Sequence, residues 1–98
     1  MNFRKLDAKD KTKIIKLINT RLEGTSIELS NGVTVKFIEA IHDGDYFILN
    51  ILQVEDNFYC VEAEYDSWDD NTLIEEDIRQ AYKVKKVSKT IEVWERED

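Results

Sequence analysis

Apolar side chains recur at helical spacing in the N-terminal part of the chain, and lysines fall between them. The apolar positions are Ile14, Ile15, Leu17, Ile18 and Leu22. This pattern predicts an amphipathic helix over residues 8–22, with one face available for a core. Asp7 or Asp10 is suited to cap the N-terminus of this helix, and Gly24 fits the position just past its C-terminus.

The middle of the chain alternates apolar and polar residues, which predicts a meander of four antiparallel strands. A three-residue loop at residues 30–32 pairs Ile27 with Val35 and keeps the apolar side chains on one face. Gly32 is suited to the left-handed position that such a loop requires.

Two later turn signals extend this register along the chain. Asp43-Gly44 favours a two-residue hairpin, and Asp56-Asn57 is a second signal of the same kind. These turns pair Ile41 with Tyr46, Val35 with Leu52, Val54 with Tyr59, Leu52 with Val61 and Ile48 with Tyr65. The three turns agree on which residues share a face, and this agreement supports the meander because a slip of one residue would reverse the faces.

One face of the meander is predicted to be apolar and covered by the helix. Its members are Ile27, Leu29, Val33, Val35, Phe37, Ile41, Tyr46, Ile48, Leu52, Val54, Tyr59, Val61 and Tyr65. The opposite face carries Phe47, Leu49 and Ile51 beside Glu62 and Glu64. Because this second face is half apolar, we expect it to be partly covered or to bind a partner.

The C-terminal third carries weaker signals. Residues 66–72 are polar and predict a loop, residues 72–82 predict a short helix or an irregular segment, and residues 89–95 predict a final strand. The expected fold is therefore α+β: an N-terminal helix packed on a four-stranded antiparallel meander, then the short helix or irregular segment and the final strand. A length of 98 residues without a visible linker predicts a single domain, 1–98.

Charge is divided unevenly along the chain, whose formal net charge is −7. Residues 1–22 carry seven basic and two acidic side chains, and the other 76 residues carry seven basic and 19 acidic ones. No Lys or Arg lies between Lys36 and Arg79. Such a field attracts basic partners and repels nucleic acid, although an acidic surface also serves solubility alone.

The composition argues against several classes of function. One histidine, His42, and one cysteine, Cys60, leave no nucleophile–base pair and no His/Cys metal set, and there is no glycine-rich phosphate loop. We therefore expect no catalytic residues, no bound metal, no cofactor and no enzymatic activity. No apolar run is long enough to cross a membrane, the N-terminus is charged and the cysteine is single, so we expect no membrane partner and a cytoplasmic location.

The acidic run following the last meander strand is the candidate partner-binding site. Alternate residues on a strand lie roughly 6.6 Å apart, similar to successive phosphates on a nucleic acid strand. A desolvated aromatic side chain among the acids would anchor a complex. The predicted contact residues are Glu62, Glu64, Asp66, Trp68, Asp69, Asp70, Glu75 and Glu76. The alternative is that the acids protect an edge strand and that Trp68 packs beneath the loop.

The segment Tyr65-Asp66-Ser67-Trp68, taken with residues 86–95, resembles the C-terminal part of many small uncharacterised phage and prophage proteins. This resemblance covers about a third of the chain; it implies an accessory protein of a mobile element and no particular activity. Together with the charge, it leads to the hypothesis of an inhibitor or decoy that occupies a basic, nucleic-acid-binding surface of a partner protein, such as a nucleic-acid-binding enzyme.

Two alternatives belong to other classes: an immunity or antitoxin-like partner of a basic toxin, and a structural or assembly accessory protein. The decoy function and the immunity or antitoxin-like function both imply a basic protein as partner and no direct contact with nucleic acid. The structural or assembly function implies self-association.

Overall fold

The computed structural model describes residues 1–43, 47–64, 75–87 and 93–97. Its helices are a short 3₁₀ helix at Phe3–Lys5, α1 at Ala8–Thr20 and α2 at Glu75–Arg79. Its strands are β1 Ser26–Glu28, β2 Thr34–Asp43, β3 Phe47–Val54, β4 Asn57–Glu64, β5 Tyr82–Val87 and β6 Val93–Arg96. The strands form one antiparallel sheet in chain order. The predicted α+β class is confirmed, with six strands in place of the expected five.

Helix α1 begins as predicted and ends earlier than predicted. The Asp7 carboxylate caps it by accepting a hydrogen bond from the Asp10 backbone N–H (2.8 Å). The helix ends at Thr20 because Arg21 turns into the left-handed conformation, with φ 54°, and donates its N–H to the Ile18 carbonyl. Leu22 therefore lies outside the helix and is 62% exposed.

Gly24, which was expected to end the helix, lies in the following turn instead. Its N–H donates to the Phe37 carbonyl (2.8 Å), so it joins this turn to β2.

The first hairpin has the predicted register. Ile27 pairs with Val35, and the Leu29 N–H donates to the Val33 carbonyl across the loop (2.8 Å). Gly32 takes the predicted left-handed conformation, with φ 84°.

The second predicted turn, at residues 43–44, is wrong. Asp43 pairs with Phe47, and the register between β2 and β3 shifts between Phe37 and Glu39. This bulge adds one residue to β2, so every later residue of the strand points to the face opposite to the predicted one. Ile41 therefore packs on the side away from α1 and pairs with Leu49, whereas Tyr46 lies outside the described residues. The shift also pairs Val35 with Val54.

The third turn is wrong by one position, which moves the register by two residues. Val54 pairs with Asn57, so the turn residues are Glu55 and Asp56, and Glu55 takes the left-handed conformation with φ 57°. The resulting pairs are Leu52 with Tyr59, Asn50 with Val61 and Ile48 with Ala63. A shift of two leaves every residue on its predicted face. Tyr65 lies outside the described residues.

The region after β4 differs from the expected short helix over 72–82. Helix α2 has five residues, and Tyr82 begins β5, whose residues 82–84 pair with β4. The Tyr-Lys-Val-Lys alternation at the start of β5 is the strand signal in this region. The predicted final strand corresponds to β6, and the predicted loop at 66–72 lies outside the described residues.

The sheet has a core on each face. Helix α1 packs against one face through Ile14, Leu17 and Ile18, which are buried with the sheet residues Val35, Phe37, Leu52, Val54, Tyr59 and Val61. The Asp10 carboxylate ties α1 to the first hairpin by accepting from the Ser30 N–H (3.1 Å) and the Ser30 hydroxyl (2.7 Å). The hydrogen bond from the Ser30 side chain holds the pKa of Asp10 below its usual value. Among the described residues, no helix has the length and apolar character needed to span a bilayer.

The second core lies on the face away from α1, and there the sheet curls over itself. Ile51, Cys60 and Val84 are buried on this face, and Trp94 of β6 packs against them. The Trp94 indole N–H also donates to the Glu39 carboxylate of β2. Strands β2 and β6 are separated by three others, so a flat sheet would hold them about 19 Å apart. The hydrogen bond therefore requires the sheet to curl toward this face.

Candidate functional site

The face away from α1 carries acids and apolar side chains together at one edge of the sheet, where β3 begins and β4 ends. Phe47 is paired directly with Glu64, and Leu49 is paired with Glu62. Ile41 extends the group onto β2 because the bulge turns it to this face. We call these five residues, Ile41, Phe47, Leu49, Glu62 and Glu64, the acidic sheet end.

Phe47 is the exposed apolar member of the acidic sheet end. Its side chain is 45% exposed, whereas Leu49 and Ile41 are half-buried. Paired residues on neighbouring strands have Cβ atoms about 5 Å apart, so the exposed side chains of Glu64 and Phe47 leave the same face from neighbouring positions. This arrangement presents an apolar anchor within a negative surround.

The predicted contact residues are divided by the structure. Glu62 and Glu64 are exposed on one face of β4, and Glu76 is exposed on α2. Glu75 begins α2, and its side chain lies outside the described part of the chain. Asp66, Trp68, Asp69 and Asp70 also lie outside the described residues. The structure therefore joins Glu62 and Glu64 in one site, while Trp68 stays a sequence-based prediction.

Glu62 and Glu76 lie among arginines that the sequence analysis did not bring together. A pocket of about 540 Å³ is lined by Arg4, Glu62, Glu76, Arg79, Gln80, Tyr82 and Arg96. We call this group the arginine pocket. Its arginines come from the 3₁₀ helix, α2 and β6, which are far apart in sequence, so no local pattern predicts their convergence. Part of the predicted acidic surface is therefore balanced by positive charge.

Cys60 is hydrogen-bonded to Tyr82, whose side chain lines the arginine pocket. Burial raises the pKa of its thiol to about 11, although hydrogen bonding with Tyr82 acts in the opposite direction. Burial, and then the hydrogen bond with Cys60, raise the pKa of the Tyr82 hydroxyl above its ordinary value. The nearby Glu62 charge raises both. Cys60 is thus protonated at neutral pH, and its thiolate is not available as a nucleophile.

The metal-ligating residue types do not gather in the part of the chain that the structure describes. There, no three or more His, Cys, Asp or Glu side chains are placed to hold a metal ion together. His42 is exposed on β2, opposite Ile48 in the register.

The opposite face of the molecule carries the basic side chains of α1. Lys9, Thr12, Lys13 and Lys16 line a shallow groove of about 380 Å³ together with Ala8. The lysines of α1 therefore lie on one side of the sheet, and the acidic sheet end, with the arginine pocket beside it, lies on the other.

Comparisons with protein-family models, with curated proteins and with solved structures find no match.

Proposed function

We propose that this protein is an acidic, protein-binding inhibitor or decoy that docks its acidic sheet end onto a basic, nucleic-acid-binding surface of a partner protein. The observation that carries the proposal is the pairing of exposed Phe47 with Glu64, next to the pair of Leu49 and Glu62. Each component of this site has a separate physical role in binding.

The carboxylates speed the encounter with a basic partner and make binding selective for such partners. Residues 37–78 contain no Lys or Arg, so positive side chains near the acidic sheet end must come from distant parts of the chain. A concentrated negative potential speeds association with a positive surface and disfavours like-charged partners such as nucleic acid itself. Surfaces that bind nucleic acid are rich in Lys and Arg, and they are therefore complementary to this site.

Phe47 determines the lifetime of the complex. Exposed ion pairs contribute only about 0–1 kcal/mol each, so the acids alone give a weak complex. Aromatic side chains that become fully desolvated at the centre of an interface contribute much more. Phe47 begins strand β3, so its backbone is already ordered before binding, which favours its use as an anchor.

The acidic sheet end is also preorganised. Strand β3 pairs with β2 on one side and with β4 over eight positions on the other, whereas β5 pairs with β4 only at residues 58–60. Glu62 and Glu64 alternate on one face of β4, at the roughly 6.6 Å spacing that imitates a row of phosphates. The resemblance of the C-terminal third to small phage proteins is consistent with an accessory protein of a mobile element, and it implies no particular activity.

The test begins with capture of the partner from a lysate of the cells that encode the protein, followed by its purification. Biolayer interferometry then compares the wild type with Phe47→Ala and Glu64→Lys. We expect Phe47→Ala to raise the dissociation rate about tenfold or more. Glu64→Lys should lower the association rate and its dependence on salt.

Two substitutions in the turn after α1 are matched controls. Leu22→Ala removes another exposed apolar side chain, and Glu23→Lys reverses another exposed acid. Both should leave binding unchanged. If they weaken binding as much as the site variants do, the acidic sheet end is not the contact surface.

A DNA or RNA competition assay with the purified partner decides the class of function. An inhibitor or decoy must compete with the nucleic acid that the partner binds. A basic partner whose nucleic-acid binding is unaffected overturns the decoy function and favours an immunity-type complex. Self-association as the only measurable binding favours the assembly role instead.

A further inference from the structure

We propose that the basic partner docks at the outer edge of β2, by adding an extended segment rich in lysine or arginine as a further strand of the sheet. This proposal rests on the proposed function for the class of partner, and it adds the way in which the partner is held beside the acidic sheet end. The observation that carries it is the difference in length between β2, which has ten residues, and its outer neighbour β1, which has three.

Only the first part of β2 is paired on its outer side. Strand β1 pairs with residues 34–36. The turn before β1 then bonds to Phe37, whose N–H donates to the Thr25 carbonyl (2.8 Å) and whose carbonyl accepts from the Gly24 N–H (2.8 Å). On its inner side, β2 continues to pair with β3 as far as Asp43. In the part of the chain that the structure describes, no strand therefore lies along the outer side of residues 38–43.

The bulge in β2 decides which backbone groups point toward this outer edge. The backbone groups of Phe37 point outward, and outward-pointing residues alternate along a regular antiparallel strand. The bulge between Phe37 and Glu39 shifts this alternation by one residue, so Ala40 is the next residue whose N–H and C=O point outward. In agreement, Ile38 and Ile41 pack on the same face although they are three residues apart. Ala40 is exposed, so its position is open to an added strand.

The open edge has the length and regularity of a strand-binding surface. Beyond the bulge, residues 39–43 pair with residues 47–51 without interruption. Five residues are a usual length for a strand. Proteins often protect such edges with lysine or proline, and residues 38–43 contain neither. They contain the acids Glu39 and Asp43 instead.

The charge around this edge favours a basic segment over a second copy of the chain. Ile41 lies on β2 and belongs to the acidic sheet end, so an added strand would lie next to that site. Glu39 contributes a carboxylate on the same face, where it accepts from the Trp94 indole. Pairing of two β2 edges would bring together two acidic sheet ends from chains of net charge −7, which repel each other. A segment rich in lysine or arginine is attracted to the same place.

The test uses an acetylated and amidated eight-residue peptide of alternating lysine and valine, which is basic and favours an extended conformation. One matched peptide carries N-methyl groups on all its backbone nitrogens, and another has glutamate in place of lysine. A nuclear magnetic resonance titration at constant ionic strength follows the backbone amides of the protein. We expect saturable shifts along residues 38–43, and slower hydrogen exchange of the Ala40 N–H, with the unmethylated lysine–valine peptide alone. Shifts that do not saturate, or equal binding of either matched peptide, would overturn the proposal.

A substitution at Ala40 tests the backbone contact from the side of the protein. Ala40→Pro removes an outward N–H and no hydrogen bond between β2 and β3, so the fold should be retained. It should weaken binding of the lysine–valine peptide about tenfold or more, because a backbone hydrogen bond is lost and the proline ring obstructs the edge. Ala40→Val is the matched control, since it keeps the N–H and should bind as the wild type does. If Ala40→Pro does not fold, the N-methylated peptide alone decides the outcome.

The captured partner separates this proposal from the proposed function. If Phe47→Ala weakens partner binding and Ala40→Pro does not, the acidic sheet end is the contact surface and strand addition is wrong. If the peptide binds at the edge as expected and the partner does not compete with nucleic acid, strand addition stands and the decoy function falls. A wild-type dimer that Ala40→Pro dissociates would make a second copy the occupant of the edge and overturn the proposal.

Discussion

Cys60 lies on β4, where it belongs to the second core and is 1% exposed. Its hydrogen bond with Tyr82 and its burial place a neutral thiol in an apolar setting. A lone reactive thiol would be a liability in any cell that experiences oxidation, and burial removes this liability by keeping the thiolate fraction small.

We predict that Cys60 is inert in the native protein. With a pKa of about 11, only about one thiol in a thousand is ionised at pH 8. Reaction with Ellman's reagent at pH 8 should therefore be about a hundredfold or more slower than in urea-unfolded protein. An equal rate in the two states would show that the thiol is accessible and its pKa normal.

The same shift predicts alkaline destabilisation. The pKa of Cys60 is raised from 9.0 to about 11 in the folded state, so the folded state retains the proton while the unfolded state loses it. The contribution to stability is fully present below pH 9 and is lost as the pH rises toward 11. Urea unfolding of Cys60→Ala should show a shallower decline over this range than the wild type, and an unchanged decline would contradict the prediction.

At the scale of elements, α1 ends on a residue that is poorly suited to its backbone conformation. Arg21 has φ 54°, in the left-handed region that costs an L-residue about 1–2 kcal/mol. Arg21→Gly should raise the free energy of unfolding by roughly 0.5–1 kcal/mol, because relief of this strain exceeds the added entropy of the unfolded chain. Lys16→Gly, at an exposed helical position, should lower it by about 1 kcal/mol. Thermal unfolding measures both changes, and a loss of stability in Arg21→Gly would refute the strain.

Elements that depend on local signals could be predicted from the sequence. The periodic apolar positions and the Asp7 cap predict α1, and the loop ending at Gly32 predicts the first hairpin. The bulge after Phe37 could not be predicted, because it depends on how two distant strands pair. The third turn was misplaced by one residue because Glu55, a residue type that rarely adopts the left-handed conformation, adopts it here, and Asn57 joins the ladder.

The candidate site was predictable only where the strand is regular. Glu62 and Glu64 alternate along β4, so their common face follows from the sequence. The proposed role of Phe47 depends on its pairing with Glu64, which the incorrect registers concealed. The arginine pocket brings together residues from both ends of the chain, and only the tertiary fold places Arg4 near Arg96.

At the scale of the whole molecule, the sheet separates two charged surfaces. The lysines of α1 lie over one face, and the acidic sheet end lies on the other. The division is incomplete, because the arginine pocket and Lys86 add positive charge to the face that carries the acidic sheet end.

The curl of the sheet gives the acidic face its shape. One contact across that face can be used to test whether the sheet is curled in solution. Trp94 packs against Phe58, with ring centroids 5.0 Å apart, and its indole N–H donates to Glu39 on β2. Lys86 lies over the Trp94 ring, 5.5 Å from the centroid. If this contact helps to hold the curl, its two members should be energetically coupled although they belong to strands that are not neighbours.

A double-mutant cycle measures this coupling. Trp94→Phe removes the indole donor and keeps an aromatic ring, and Glu39→Ala removes the acceptor. A hydrogen bond to a charged group in a partly buried setting should give a coupling energy of about 1–2 kcal/mol in urea unfolding. The control cycle joins Trp94→Phe with Glu23→Ala in the turn after α1, and these changes should add within about 0.5 kcal/mol. Equal additivity in both cycles would mean that β6 does not close over β2 in solution, and the acidic face would then be flatter and its second core less well covered.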